Sequence, residues 1–228
     1  MKHIFGTLLV LTVLVITIAS CKKLALQKDY DYKASVYSSK INQSLWDFMN
    51  TRSDLFSSLV DALNYVDPNA TGIKKTYMTP DAGTTYLLLT NSALTDITNA
   101  NSYWYKNLRY SADSAKWVLH GSDWSQYNKD TITEVLKYHV LKGDYSLRNV
   151  GGVPIWAPTY ALSTTNDSAY INLQLTPDRN AFFYINAYTG SPTGNTKART
   201  PDLHLNGGVI VHVLDTYMQE PPRSAIHN

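Results

Sequence analysis

The sequence predicts one α+β domain, helices leading and strands following, carried behind an N-terminal export segment. Apolar residues recur at helical spacing between residues 41 and 63 and again between 132 and 139. After Gly143 the chain turns to short β-type runs divided by turn residues. At 228 residues and 44% hydrophobic, it is long enough to bury a core and too apolar for disorder. The net charge of +2, with no long basic run, argues against nucleic acid as a partner, because phosphate binding needs a concentrated positive face. Composition also excludes collagen-like, disulfide-scaffold, coiled-coil and polytopic membrane classes. Sixteen of the 18 acidic residues are Asp, and the 17 tyrosines and five tryptophans are an unusual excess.

The first element is an address. Met1-Lys2-His3 is followed by an uncharged Leu/Val/Ile-rich run from Ile4 to Ile18, too short for a comfortable membrane span but suited to a signal-peptide core. Ile18-Ala19-Ser20-Cys21 then places two small residues before the single cysteine. This resembles the lipobox of bacterial lipoproteins. The resemblance implies cleavage after residue 20 and lipid attachment at Cys21, which would also remove a lone reactive thiol from an exported protein. Three acyl chains would hold such a protein on a membrane almost permanently. Lys22 and Lys23 stand where an Asp would signal inner-membrane retention, so the expected location is the outer membrane, with the cell surface favoured over the periplasmic face. Residues 21–40 are polar with scattered tyrosines and no sustained period, and read as a lipid-anchored tether.

The body follows, from residue 41 to 222, with 223–228 as a tail. Ile41, Leu45, Phe48 and Met49 fall at helical spacing. A second helix is expected with Ser53 as N-cap and Leu55, Phe56, Leu59, Val60 and Leu63 on one face, ending at Pro68. Tyr86–Leu89 reads as a strand buried on both faces, running into the cap formers Thr90-Asn91-Ser92. Thr131-Ile132-Thr133-Glu134 has the pattern of a capping box, and the helix it opens carries Ile132, Val135, Leu136 and His139 on its apolar face. Strands are expected over 153–156, 169–175 and 181–185, then a loop over 190–200. A hairpin over 203–215 closes the domain, built on Asn206-Gly207.

Three of these segments carry a second resemblance. Tyr86–Leu94, Val135–Gly143 and Leu203–Met218 resemble, in order and spacing, the fasciclin-domain blocks "PTNxAF", "LLxYHVVxG" and "NGxIHVIDxVL", and residues 48–63 resemble the family's leading helical segment. The likeness covers about residues 44–222. Leu89 replaces the family's Pro, Leu94 replaces its Phe, Gly208 lengthens the last turn, and residues 99–129 read as an insertion. The resemblance implies a fasciclin-like wedge of two small β-sheets flanked by helices, with adhesion or ligand binding at cell surfaces rather than catalysis.

Candidate sites divide into three groups. Tyr138 and His139 match the motif linked in the family to receptor contacts, although the periodicity favours a buried hydrogen-bonding role for His139. Thr90, Asn91, Asn206, Gly207 and Asp215 read as structural. Tyr103, Trp104, Tyr105, Tyr110, Trp117, Trp124 and Tyr127 fall within the insertion, either as a platform for sugars or proteins or as filling for a local core. His204 and His212 flank the hairpin without a third ligand at suitable spacing, so neither metal nor cofactor is expected. Three short segments, at Asp113-Ser114-Ala115, Asp130-Thr131-Ile132 and Asp167-Ser168-Ala169, resemble bacterial O-glycosylation sites.

No nucleophile elbow, phosphate loop or zinc-protease motif is present in the sequence, and only two Glu residues occur. The expected function is therefore non-catalytic binding or adhesion. The expected partners are the membrane, through the lipid, and envelope proteins, in particular an outer-membrane nutrient-uptake transporter. The alternative is direct glycan binding by the insertion, with tryptophan replacements there leaving the fold intact. A hydrolase using an Asp pair is the third reading.

Overall fold

The computed structural model describes residues 39–111, 116–176, 182–194 and 196–226, and of residues 110, 111 and 116–118 the backbone alone. The expected export segment, the expected lipid site Cys21 and the expected tether up to residue 38 lie outside the described residues.

Helix α1 (Leu45–Thr51) starts where Ser44 accepts the Asp47 N–H at 3.1 Å, and it turns Leu45, Phe48 and Met49 inward. In α2 (Ser53–Val66) Phe56, Leu59, Ala62 and Leu63 form the buried face, so the sequence pattern places this helix correctly. Its cap differs from expectation. Arg52, not Ser53, is the N-cap and makes no side-chain cap bond; its guanidinium instead grips Asp54 through two bonds of 2.9 Å. Past Val66 the Asp67 carboxylate accepts the N–H groups of Thr71, Gly72 and Lys74 at 2.7 to 3.1 Å, supplying the cap that Gly72 cannot give α3 (Ile73–Met78). Each fully buried Leu or Phe on these faces is worth roughly 1.5–3 kcal/mol, so packing rather than propensity holds the short helices.

Strand β1 (Thr85–Leu89) is buried at all five positions. It leads into α4 (Asn91–Leu94) and α5 (Tyr103–Lys106), then β2 (Arg109–Ser111) and β3 (Lys116–Leu119), which pair with each other, and a 3₁₀ turn at Trp124–Gln126. The next helix, α6, spans Lys129–Tyr138. The expected Thr131 capping box is not formed. Asn128 caps the helix by accepting the Asp130 and Thr131 N–H groups at 2.8 and 3.1 Å, which puts Thr131 inside the first turn, and Glu134 pairs with Lys137 instead. Asn is as good a cap as Thr, and it stands where the extended chain at Tyr127 turns into the helix.

Strand β4 (Val140–Leu141) follows at once. The later strands are β5 (Ile155–Pro158), β6 (Tyr170–Leu175), β7 (Phe183–Ile185), β8 (Thr196–Lys197), β9 (Thr200–Leu205) and β10 (Val209–Leu214), and a last helical turn is α7 (Arg223–Ile226). One sheet has the order β4-β1-β10-β9 and another β5-β6-β7-β8, so the fold is α+β with two small sheets plus the β2/β3 hairpin of the insertion. β1 and β10 run parallel at its centre, with Leu87 opposite His212, and both strands are wholly buried.

Boundaries shift where the sequence is weakest. β5 starts two residues later than expected, because Val153 is 77% exposed, and it tolerates Pro158 as an edge strand. The expected 190–200 loop holds β8 and the start of β9. Lys40, assigned to the tether, bridges His204 at the sheet edge, and the Ser39 carbonyl accepts the His204 N–H at 2.8 Å. In the β9/β10 turn both Gly207 and Gly208 take positive φ, 80° and 74°, so the two glycines rather than Asn206 supply the unusual backbone. Among the described residues no helix is long and apolar enough to cross a membrane.

Candidate functional site

Tyr138 ends α6 and His139 caps it. Both are enclosed, at 2% and 1% exposure, so neither offers a surface. The Tyr138 hydroxyl donates to the Tyr170 carbonyl at 2.9 Å and accepts from Asn186 Nδ2 at 3.0 Å. His139 donates through Nδ1 to the Val135 carbonyl at 2.7 Å and accepts the Met218 N–H on Nε2 at 3.3 Å. Burial lowers its pKa to about 4, against the opposing pull of the Val135 bond. The ring is neutral at pH 7, and neither nitrogen is left for a substrate.

The Thr90 side chain accepts the Ala93 N–H at 3.4 Å, and its hydroxyl donates to Asp215 Oδ1 at 2.7 Å, tying the end of β1 to the residue that follows β10. Asp215 also pairs with Arg199 at 3.2 Å. Asn91 does something the sequence did not suggest. Its Oδ1 takes the Ser58 N–H at 2.8 Å and its Nδ2 gives to the Asp54 carbonyl at 3.1 Å. Those two groups are four residues apart in α2, so the Asn91 amide stands in for one rung of that helix. Asn206 and Gly207 lie in the β9/β10 turn.

The insertion's aromatics largely pack on one another. Tyr103 is 2% exposed and Trp124 7%. Tyr103 sits edge-on to Tyr217 at 5.2 Å and near Trp124 and Tyr127 at 5.9 and 5.4 Å. Trp104 meets Trp124 edge-on at 5.5 Å and stacks on Tyr127 at 6.2 Å. This cluster is a local core: the rings shield one another from water, and Tyr103 anchors them on Tyr217. Removing Trp124 would therefore damage the fold, against the expectation that such replacements leave it intact. Tyr105 alone of the described aromatic side chains here is well exposed, at 41%, and stacks on His120 at 5.2 Å. The side chains of Tyr110 and Trp117 lie outside the described residues.

His204 and His212 do not converge on a site. His212 is wholly buried in β10; it accepts the Asp202 N–H on Nδ1 at 3.1 Å, donates through Nε2 to the Tyr145 carbonyl at 3.0 Å and stacks on Phe183. His204 instead lies 3.2 Å from Asp202, beside a charged cleft of about 610 Å³ that also takes in Lys40, Asp144 and Arg148. No group of three metal-ligating side chains occurs among the described residues. Sequence reasoning missed this cleft because its residues come from three distant segments with no shared motif. A second cleft, about 590 Å³, opens beside the insertion between Tyr103, Leu108, Arg109 and Tyr127.

No family model and no curated protein matches the chain. Among solved structures it is similar to a FAS1 domain pair from the insect cell adhesion molecule Fasciclin I, at 12% identity and a TM-score of 0.42, over 71% of this chain. The chain spans 45% of that structure's length.

Proposed function

We propose that the protein is a non-catalytic binding lipoprotein of the cell envelope with a fasciclin-like domain. It is held to the outer membrane through lipid on Cys21 and docks, by its insertion, onto a protein partner such as the transporter of a nutrient-uptake complex. One observation carries this reading: three large apolar side chains of the insertion are exposed. Tyr105 and Leu119 are 41% and 42% exposed, and Leu108 beside them 36%. Tyr105 stacks on His120, the residue after Leu119, and Leu119 pairs with Arg109, the residue after Leu108, so the three gather around one end of the β2/β3 hairpin. Exposed large apolar side chains that include an aromatic suit a protein-binding surface. The two core histidines support the non-catalytic half, since backbone bonds occupy all four ring nitrogens.

The test is a native pull-down of the full lipidated protein from detergent-solubilised outer membrane, with partners identified by mass spectrometry. The expected result is a large transporter in near-equal amount, lost when Tyr105→Ala and Leu119→Ser are combined. Recovery of the protein alone would sink the docking reading. Separately, Cys21→Ser should release the chain from the membrane fraction; retention there would remove the lipid anchor from the proposal.

A further inference from the structure

The outer face of the second sheet carries a cleft of a different chemistry. It measures about 440 Å³, within the range of small-molecule sites, and is lined by Pro154, Trp156, Asn172, Ala187, Tyr188 and Thr189, with Ala225 of α7 at its rim. None of these side chains is charged, in contrast to the cleft at Lys40, Asp144, Arg148 and Asp202. Trp156 and Asn172 are directly opposite each other on β5 and β6, so their side chains share one face. The Tyr188 ring closes on Trp156 at 5.5 Å with the planes inclined by 46°, leaving an angled aromatic wall.

Two further observations mark this as a built site. Asn172 is 96% enclosed (4% exposed), yet its Oδ1 has no hydrogen-bond partner, a rare state for a buried amide. Asn186, a non-glycine residue at φ 53° and itself buried, holds the wall in place. Its Oδ1 accepts the Asn172 N–H at 3.0 Å, its own N–H donates to the Asn172 carbonyl at 2.8 Å, and its Nδ2 donates to the Tyr138 hydroxyl and the Gln219 carbonyl. The left-handed backbone there turns the chain so that Ala187, Tyr188 and Thr189 reach the cleft. Backbone strain fixed by a satisfied network is characteristic of sites that must be held ready.

We propose that this cleft binds a neutral carbohydrate, with the C–H face of a pyranose ring against Trp156 and Tyr188 and its hydroxyls meeting the Asn172 amide. Aromatic faces beside an uncharged amide suit a polyol. An anionic ligand would find no cation in the lining, and a purely apolar one would leave Asn172 unanswered. The site lies on a different sheet from the insertion and does not depend on the docking reading.

The experiment is native gel electrophoresis of the full chain through gels containing an α-glucan, a mixed-linkage β-glucan or a mannan, with a polyuronate gel as the charged control. At least one neutral polymer should retard the protein and the polyuronate should not. Trp156→Ala, on a half-buried outer position, should weaken the retardation at least tenfold with an unchanged melting temperature. Asn172→Leu, which removes the unpaired acceptor, should do the same, while Tyr105→Ala in the insertion should leave retardation intact. The proposal is overturned if no neutral polymer retards the protein, if Trp156→Ala and Asn172→Leu bind as the parent does, or if the polyuronate retards it equally.

Discussion

His139 Nε2 accepts the backbone N–H of Met218 at 3.3 Å, a buried bond across 79 residues that exists only while the ring is neutral. The same holds for His212, whose Nδ1 accepts from Asp202. Burial lowers both pKa values from 6.5 to about 4; for His212 the Tyr145 bond and the nearby Asp202 and Asp144 oppose the shift and His204 adds to it. Between about pH 6.5 and 4 the unfolded chain therefore binds protons that the folded chain refuses. Stability is full above that window and falls as pH drops through it, by on the order of 3 kcal/mol per histidine. Melting temperatures measured from pH 7.5 to 4.5 should decline accordingly, and His139→Gln, which can keep a donor and an acceptor, should flatten the decline. A melting temperature constant over that range would refute the assignment of both rings as buried and neutral.

Thr90 and Asp215 form the bond that fastens β1 to the end of β10. Thr90→Val keeps the shape but removes both the bond to Asp215 and the cap on Ala93. The expected cost is about 1–2 kcal/mol, measured by urea unfolding, with little change in the slope of the transition. A loss below the error of the measurement would mean that water replaces the hydroxyl at no cost.

Two glycines separate a steric requirement from a conformational one. A Cβ on Gly121 would fall 2.3 Å from Tyr127 Cε2, and its N–H donates to the Tyr127 hydroxyl at 2.9 Å. Gly121→Ala must push Tyr127 off Trp104, at about 3 kcal/mol, and should change the tryptophan fluorescence. Gly207, at φ 80°, has open space around it, so Gly207→Ala should cost about 1 kcal/mol and leave the fluorescence as it was. The same fluorescence change in both variants would contradict this division.

Tyr138→Phe deletes the hydroxyl shared by Tyr170 and Asn186. Because the side chain is enclosed, the variant should lose about 1–3 kcal/mol of stability and bind any protein partner of the folded domain as the parent does. Lost partner binding at unchanged stability, read by pull-down beside a melt, would restore the contact role expected from the fasciclin resemblance.

The three segments that resemble fasciclin blocks become β1 with α4, α6 with β4, and β9 with β10, and their strands are the four neighbours of one sheet. Each was legible because its own period or turn residues define it locally. The Asn128 cap, the two-residue β8 and the bridge at Lys40 were not legible, since a cap competes with near-equal neighbours and a two-residue strand has no period. The cleft beside Trp156 and Asn172 escaped because its lining is gathered from residues 154 to 225 without a motif.

Local pattern alone thus determined the two leading helices, the buried character of β1, the helix that ends at Tyr138 and the hairpin at Gly207. Burial of the insertion's aromatics, the use of Asn91 as a rung in α2, and the enclosure of Tyr138 and His139 were decided by the tertiary structure. These depend on which distant chain segment arrives to exclude water from a side chain, and hydrophobic burial and hydrogen-bond completion are properties of that meeting rather than of either segment.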